Sequence, residues 1–157
     1  MSKLLNGKVA IVTGGAKGLG YGISRALASE GASVLISGRD GAAAETVAAI
    51  TAAGGRAYAY SCDIADIPTC ERFVAKVLEN HDHVDILINN AGRSIRRSVQ
   101  YSFDRFHDFE RTMQLNYFGA LRLILGFAPS MLERESGHII NISSIGVLTS
   151  PPRFSAY

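Results

Sequence analysis

The chain has no tryptophan, only two cysteines and four prolines in 157 residues, and acidic and basic side chains that nearly cancel. Cys62 and Cys70 lie eight apart without a Cys-x-x-Cys spacing. That excludes a disulfide framework and a cysteine-bound metal, and leaves two ordinary reduced thiols. A net charge of +2 is too small to mark a nucleic-acid binder. No apolar run reaches the roughly 18 residues of a membrane span, and the first seven residues are too short and polar for a secretory signal. Together these absences point to the cytoplasm. With 47% hydrophobic and 19% charged residues, the chain reads as one globular domain with enough length for a core.

What is present starts at Lys8-Val-Ala-Ile-Val12, an apolar strand that runs straight into Thr13-Gly-Gly-Ala-Lys-Gly-Leu-Gly20. A strand, a glycine-rich turn and a helix in this order suit the cradling of a pyrophosphate. Gly14 permits a sharp turn, Gly18 removes a side chain that would block the phosphates, and Gly20 permits close helix packing. Lys17 adds charge, and the helix that opens at Gly18-Leu19 offers unpaired N–H groups to the anion. An NTPase phosphate loop requires Gly-Lys-Ser or Gly-Lys-Thr at its end, whereas Gly20 is followed by Tyr21 and Gly22. The pattern is that of a dinucleotide site.

Apolar strands alternate with amphipathic helices along the rest of the chain. Strands are expected at Val9–Thr13, Ser33–Ser37, Ala57–Ser61, Val84–Ile88 and His138–Ile142. Helices are expected at Leu19–Ser29, Gly41–Ala52, Ile67–Glu79 and Phe103–Leu132. Gly31 and Gly54-Gly55 suit helix C-terminal caps, Pro68 suits a first helical turn, and Pro129 should kink or end the last helix. The fold class is therefore α/β, a Rossmann-type doubly wound parallel sheet of about five strands.

Cofactor choice is read at the end of the second strand. An NAD enzyme places a carboxylate there to hold the ribose 2′-OH. Here Gly38 takes that position, with Arg39 directly behind it. A guanidinium suits a 2′-phosphate and Lys17 supplies a second cation, so NADP(H) is expected over NAD(H). The alternative is a solvated Arg39 with Asp40 on the ribose.

Asn89-Asn90-Ala91-Gly92 follows the fourth strand, Asn116 lies in the long helix, Ser143-Ser144 follows the fifth strand, and Tyr157 comes thirteen residues after Ser144. With the glycine turn, this set resembles the short-chain dehydrogenase/reductase family along the whole chain. The resemblance implies Tyr157 as catalytic acid/base, Ser144 as the hydroxyl that polarises the substrate carbonyl, and Asn116 as holder of a proton-relay water. It implies Asn90, Ala91 and Gly92 along the adenosine ribose, and Asp63 and Ile64 beside the adenine. It also implies a homo-oligomer built on the long helix, whose Phe103, Phe106, Phe109, Leu115 and Phe118 suit a core or subunit interface.

A free phenol has a pKa of about 10, so acid/base work near neutrality requires positive charge nearby. The family supplies it from a lysine four residues after the tyrosine, and this chain ends at Tyr157. The expectation is the N-terminal part of a longer enzyme, inactive by itself, with a non-catalytic nucleotide-binding module as the alternative. The stretches Asn89–Ser98, Ser102–Leu121 and Pro151–Tyr157 are similar to the reductase domain of bacterial fatty acyl-CoA reductases. That implies an acyl-CoA substrate, whose phosphates Arg93, Arg96 and Arg97 would meet, against a solvated basic loop or a ketone or 3-oxoacyl substrate. His81 and His83 suit a helix end, and His107 a packed or solvated position. No metal site is indicated.

Overall fold

A computed structural model describes residues 3–39 and 41–157, so Asp40, the alternative ribose ligand, lies outside the described residues. Five parallel strands form one sheet in the order β3-β2-β1-β4-β5. They are β1 (Val9–Thr13), β2 (Ser33–Gly38), β3 (Arg56–Ser61), β4 (Ile86–Asn89) and β5 (His138–Asn141). The central strands are continuous apolar runs because helices cover both of their faces. Successive residues of β1 accordingly enter different cores. Ile11, with Leu35 and Leu87, packs against Phe73, Val77, Leu123 and Phe127. Ala10 and Val12, with Val34, Ile36 and Ile88, pack against Ala28, Ala43 and Ile50.

The helices are α1 (Gly18–Ser29), α2 (Ala42–Ala52), α3 (Ile67–Asn80), α4 (Phe106–Met113), α5 (Ala120–Glu133) and a short α6 (Gly146–Thr149). Asp66 caps α3 by accepting from the Thr69 N–H at 3.0 Å, and Pro68 stands in its first turn. Gly31 and Gly54 take positive φ after α1 and α2, at +95° and +79°.

Several boundaries move. The fourth ladder begins at Ile86 rather than Val84, because Ala10 pairs with Ile86 and Asp85 stands before the paired stretch. The fifth strand stops at Asn141, opposite Asn89 where β4 also ends. The long helix starts at Phe106, after a 3-10 turn at Val99–Tyr101, and is interrupted by a π-helical segment at Gln114–Gly119. Pro129 does not end α5, which continues to Glu133. Phe103 and Phe106 are largely exposed and thus outside the core.

Membrane-scale apolarity also needs correcting. The continuous helix Phe106–Glu133 spans 28 residues and contains an 18-residue window of mean hydropathy 1.2, enough by length and composition to cross a bilayer. Its inner stripe of Leu123, Phe127 and Met131 is packed on the sheet. Gly126 lets the same helix pack closely on α3, since a Cβ there would lie 2.6 Å from a Val74 methyl.

Candidate functional site

The strand order reverses between β1 and β4, so the loops leaving their carboxyl ends diverge and open a crevice. From one side comes the glycine turn, from the other Asn89–Gly92. Thr13 joins them. Its buried hydroxyl accepts the N–H groups of Asn90 and Ala91, each at 2.9 Å, and lies 3.3 Å from the Ile88 carbonyl as donor. Asn90 returns the bond, donating from its side-chain amide to the Thr13 carbonyl at 2.8 Å.

Close approach explains two of the glycines. Gly14 has φ +62°, and a Cβ there would lie 3.2 Å from the Ala91 backbone. A Cβ on buried Gly20 would strike the Gly14 carbonyl oxygen and come within 2.6 Å of the Asn90 amide, so this glycine closes the turn itself. Gly18 has φ +54° with open space on its Cβ side, which leaves the cradle clear. The Ser24 hydroxyl holds the Gly15 carbonyl at 3.2 Å, and Thr46 of α2 holds the Ala16 carbonyl at 3.1 Å. Lys17 is the N-cap of α1, without a side-chain capping bond, and Lys17 and Leu19 are solvent-exposed. The N-terminus of α1 follows this turn directly and has no side-chain cap, so its first N–H groups are left for another acceptor.

Arg39 leaves β2 with 70% of its side chain exposed, and its guanidinium stands 4.0 Å from the half-exposed Asp63 carboxylate. So loose a pair in solvent leaves the guanidinium free to change partners. Asp63 is fixed by the Ala65 N–H at 3.0 Å and by the Thr69 hydroxyl on its own carbonyl at 2.6 Å. Ile64 turns its side chain into the core, where Gly119 of the π-helical segment packs on it. The flanking thiols of Cys62 and Cys70 are both free and buried. Hydrogen bonding to Cys70 and burial push the Cys62 thiol well above its usual range, which makes it a packed group rather than a nucleophile.

Asn116 lies in the π-helical segment, and both ends of its side chain are occupied. Its oxygen accepts the Arg93 N–H at 2.9 Å and its amide donates to the Arg93 carbonyl at 2.8 Å. Gly92 is packed against it, with an added Cβ 3.4 Å from the Asn116 oxygen. Ser144 and Tyr157 meet across Gly146, where a Cβ would lie 3.2 Å from Tyr157 Cε1 and 3.3 Å from Ser144 Oγ. Ser144 Oγ accepts the Gly146 N–H at 3.1 Å. Tyr157 is half-exposed over a cleft of about 470 Å³ lined by Val99, Val147, Pro151, Arg153 and Phe154.

Other sequence-level readings change. Arg97 is not a free surface cation, because its guanidinium is paired with buried Asp108 at 3.2 Å. His107 also reaches Asp108, at 3.3 Å. Burial holds the His81 ring below its usual pKa and Tyr60 OH bonds to it at 2.9 Å, so it is no cation for the helix dipole. His83 pairs with Asp85 at 3.2 Å. Read from the sequence, Thr13 has a place at the head of the glycine turn but no role of its own, and Asp108 has none. Only the position of Thr13 at the end of a buried strand could have singled it out.

The short chain dehydrogenase family model matches residues 8–157. A fatty acyl-CoA reductase of Acinetobacter baylyi is 54% identical over 154 residues, covering 98% of this chain and 52% of that protein. A fatty acyl-CoA reductase of Mycobacterium tuberculosis is 44% identical over 98% of this chain and 53% of its own length. The chain thus spans about half the length of these curated relatives. Among solved structures, a metagenomic short-chain oxidoreductase in complex with NADP superposes with a TM-score of 0.91 at 34% identity, covering 98% of this chain and 69% of that one. With a family model matched from the first strand to Tyr157 and the crevice built as described, this chain belongs to the short chain dehydrogenase family.

Proposed function

We propose that the chain is the N-terminal, nucleotide-binding part of an NADP(H)-dependent oxidoreductase that reduces an acyl-CoA thioester to an aldehyde. The observation that carries this reading is that Ser144 Oγ and the Tyr157 ring both stand against Gly146, with Tyr157 on the wall of the neighbouring cleft. The two fatty acyl-CoA reductases named above support the substrate class. The glycine turn and the N-terminus of α1 would hold the pyrophosphate, Arg39 and Lys17 the 2′-phosphate, and Asp63 with Ile64 the adenine side. The backbone of Asn90, Ala91 and Gly92 would line the ribose.

When bound, the dinucleotide supplies a hydride. The Ser144 hydroxyl already accepts from the Gly146 N–H, so its own hydrogen is free to donate to the substrate carbonyl oxygen. Tyr157 then gives that oxygen its proton from the phenol. A hydride and a proton added to the thioester carbonyl, followed by loss of the thiol, leave the aldehyde. Since the side chain of Asn116 is spent on Arg93, a relay water would rest on a backbone carbonyl of the π-helical segment. Arg93 and Arg96 are exposed and suit the coenzyme phosphates, while Arg97 is excluded by its ion pair. Tyr117, Phe118 and Leu125 on the outer face of the long helix suit a contact with a second copy.

The test is NADPH oxidation by the full-length protein with long-chain acyl-CoA and 3-oxoacyl substrates side by side. Aldehyde formed from acyl-CoA supports the reading. Reduction of 3-oxoacyl substrates alone would replace it with a ketone reductase, and no turnover with intact NADPH binding would leave a nucleotide-binding module. In the same assay Arg39→Leu should weaken NADPH by about 10–100-fold, the loss of one charge-assisted contact, and leave NADH nearly unchanged.

A further inference from the structure

Asp108 is a buried carboxylate that the residues assigned above do not use, and three basic side chains surround it. Its carboxylate is 6% exposed. It accepts from Arg97 Nε at 3.2 Å and Arg105 Nε at 3.0 Å, and His107 Nε2 lies 3.3 Å away. A carboxylate surrounded in this way is held ionised, and the Arg105 bond keeps it below the usual carboxylate range.

From Arg97 the connection passes to the segment that ends in Tyr157. The Arg97 carbonyl accepts the Ser155 hydroxyl at 3.0 Å and the Ser155 N–H at 3.4 Å. Arg97 and Phe154 form an isolated parallel bridge. The Tyr157 N–H then turns back to the Phe154 carbonyl at 3.2 Å, and the two rings stand 6.0 Å apart. Ser155 Oγ also lies 3.3 Å from Ser102 Oγ, just before α4.

The same helix grips the loop after β4 at a second point, through Asn116 on Arg93. So the five residues from Arg93 to Arg97 are pinned at both ends by the long helix. The Tyr157 segment leans on the Arg97 pin.

We propose that Asp108 is a positioning residue for Tyr157, acting through Arg97 to fix the strand-like segment on which Phe154 and Ser155 hang. The proposal rests on the assignment of Tyr157 as proton donor. An exposed tyrosine on an irregular segment has few other constraints, and a misplacement of about 1 Å at the reacting group can cost about 100-fold in rate.

The experiment compares Asp108→Asn, Arg97→Met and Arg97→Lys in the full-length protein, with 3-fluorotyrosine placed at position 157. Arg97→Met leaves Asp108 paired with Arg105 and His107, so it decides the question if Asp108→Asn does not fold. Expected for both Asp108→Asn and Arg97→Met is a fall in kcat of about 10–100-fold with KM for NADPH within about 2-fold of the parent. The residue-157 fluorine resonance should broaden or split in both, and Arg97→Lys should recover part of the rate.

Unchanged kcat per folded molecule and an unchanged fluorine line, with only a lower Tm, would overturn the proposal and leave Asp108 a brace. Tyr157→Phe separates the two claims. If it keeps the parent rate, the proton-donor assignment fails, whereas the fluorine line still decides whether Asp108 fixes residue 157.

Discussion

Asp85 and Asp108 are both buried carboxylates, each surrounded by two cationic side chains and a histidine. They brace very different things. Asp85 stands where β1, β4 and β5 begin, accepting the Val9 N–H at 2.8 Å and Lys8 Nζ at 3.1 Å. His83 lies 3.2 Å and Arg134 3.6 Å from it. Every one of these elements is already held in register by the ladders, and the Asp85 carbonyl itself receives the His138 N–H at 2.8 Å. Asp108 stands among the loops after β4 and β5, which have no ladder beyond the single Arg97–Phe154 bridge. A carboxylate at the sheet's starting edge should therefore act on stability, and one among the loops on the placement of a side chain.

Substitution at Asp85 should give the largest effect on folding. Asp85→Ala strands Lys8, Arg134 and the Val9 N–H, and should cost about 3 kcal/mol or more, read as a lower urea midpoint at unchanged slope. Nucleotide affinity of the folded fraction should stay within about 2-fold of the parent. A comparable loss of affinity would erase the distinction between the two ends of the sheet.

Next comes Thr13→Val, which leaves the Asn90 and Ala91 N–H groups without the hydroxyl and should cost about 2 kcal/mol. Unlike Asp85→Ala, it should also weaken nucleotide binding in an equilibrium titration, because the two loops of the crevice are then joined only by the Asn90 amide on the Thr13 and Gly14 carbonyls.

Acid unfolding sharpens the comparison further. Burial raises the Asp85 pKa, but the Val9 N–H and the Lys8 ammonium outweigh that and hold it below its reference value of 3.8. Stability from this group is fully present above 3.8 and is lost as pH falls from there through the depressed folded value. Urea midpoints measured from about pH 5 downwards should drop in that window, and Asp85→Asn should flatten the drop. Asp108 carries the same sign, so its Asn variant should remove a separate part of the same limb.

The smallest expected effect is at His81. Burial lowers its pKa from 6.5, so its contribution is present above 6.5 and fades as pH falls through the folded value. His81→Gln should remove a shallow slope there and leave the site unchanged. A slope that survives the substitution would assign it to another group.

How much could be read beforehand follows from sequence distance. The strand, the glycine turn and the helix over residues 8–29 are contiguous, and their apolar periods and glycine spacing declare them. Arg39 is legible because it follows a buried strand directly. The π-helical segment is not, since Gln114–Gly119 carries no distinctive composition and its geometry depends on Gly119 packing against Ile64. Nor was the loss of Arg97 from the free arginines visible, because a charge in a loop looks the same whether it is solvated or paired. The apolarity of the long helix does not show as an unbroken run because Arg122 interrupts it, while the window around it remains apolar on average.

Local pattern by itself determined the strands and most of the helices, the all-parallel class, the glycine turn and the family. Those depend on periodicity and on backbone freedom at single positions, both of which are properties of short stretches. Tertiary structure alone decided that Thr13 ties Asn90 across 77 residues, that Asp85 gathers three strand starts, and that Asp108 reaches the Tyr157 segment through Arg97. Hydrogen bonds and ion pairs carry no period along a chain, so which groups meet is settled only when the sheet brings its loops together.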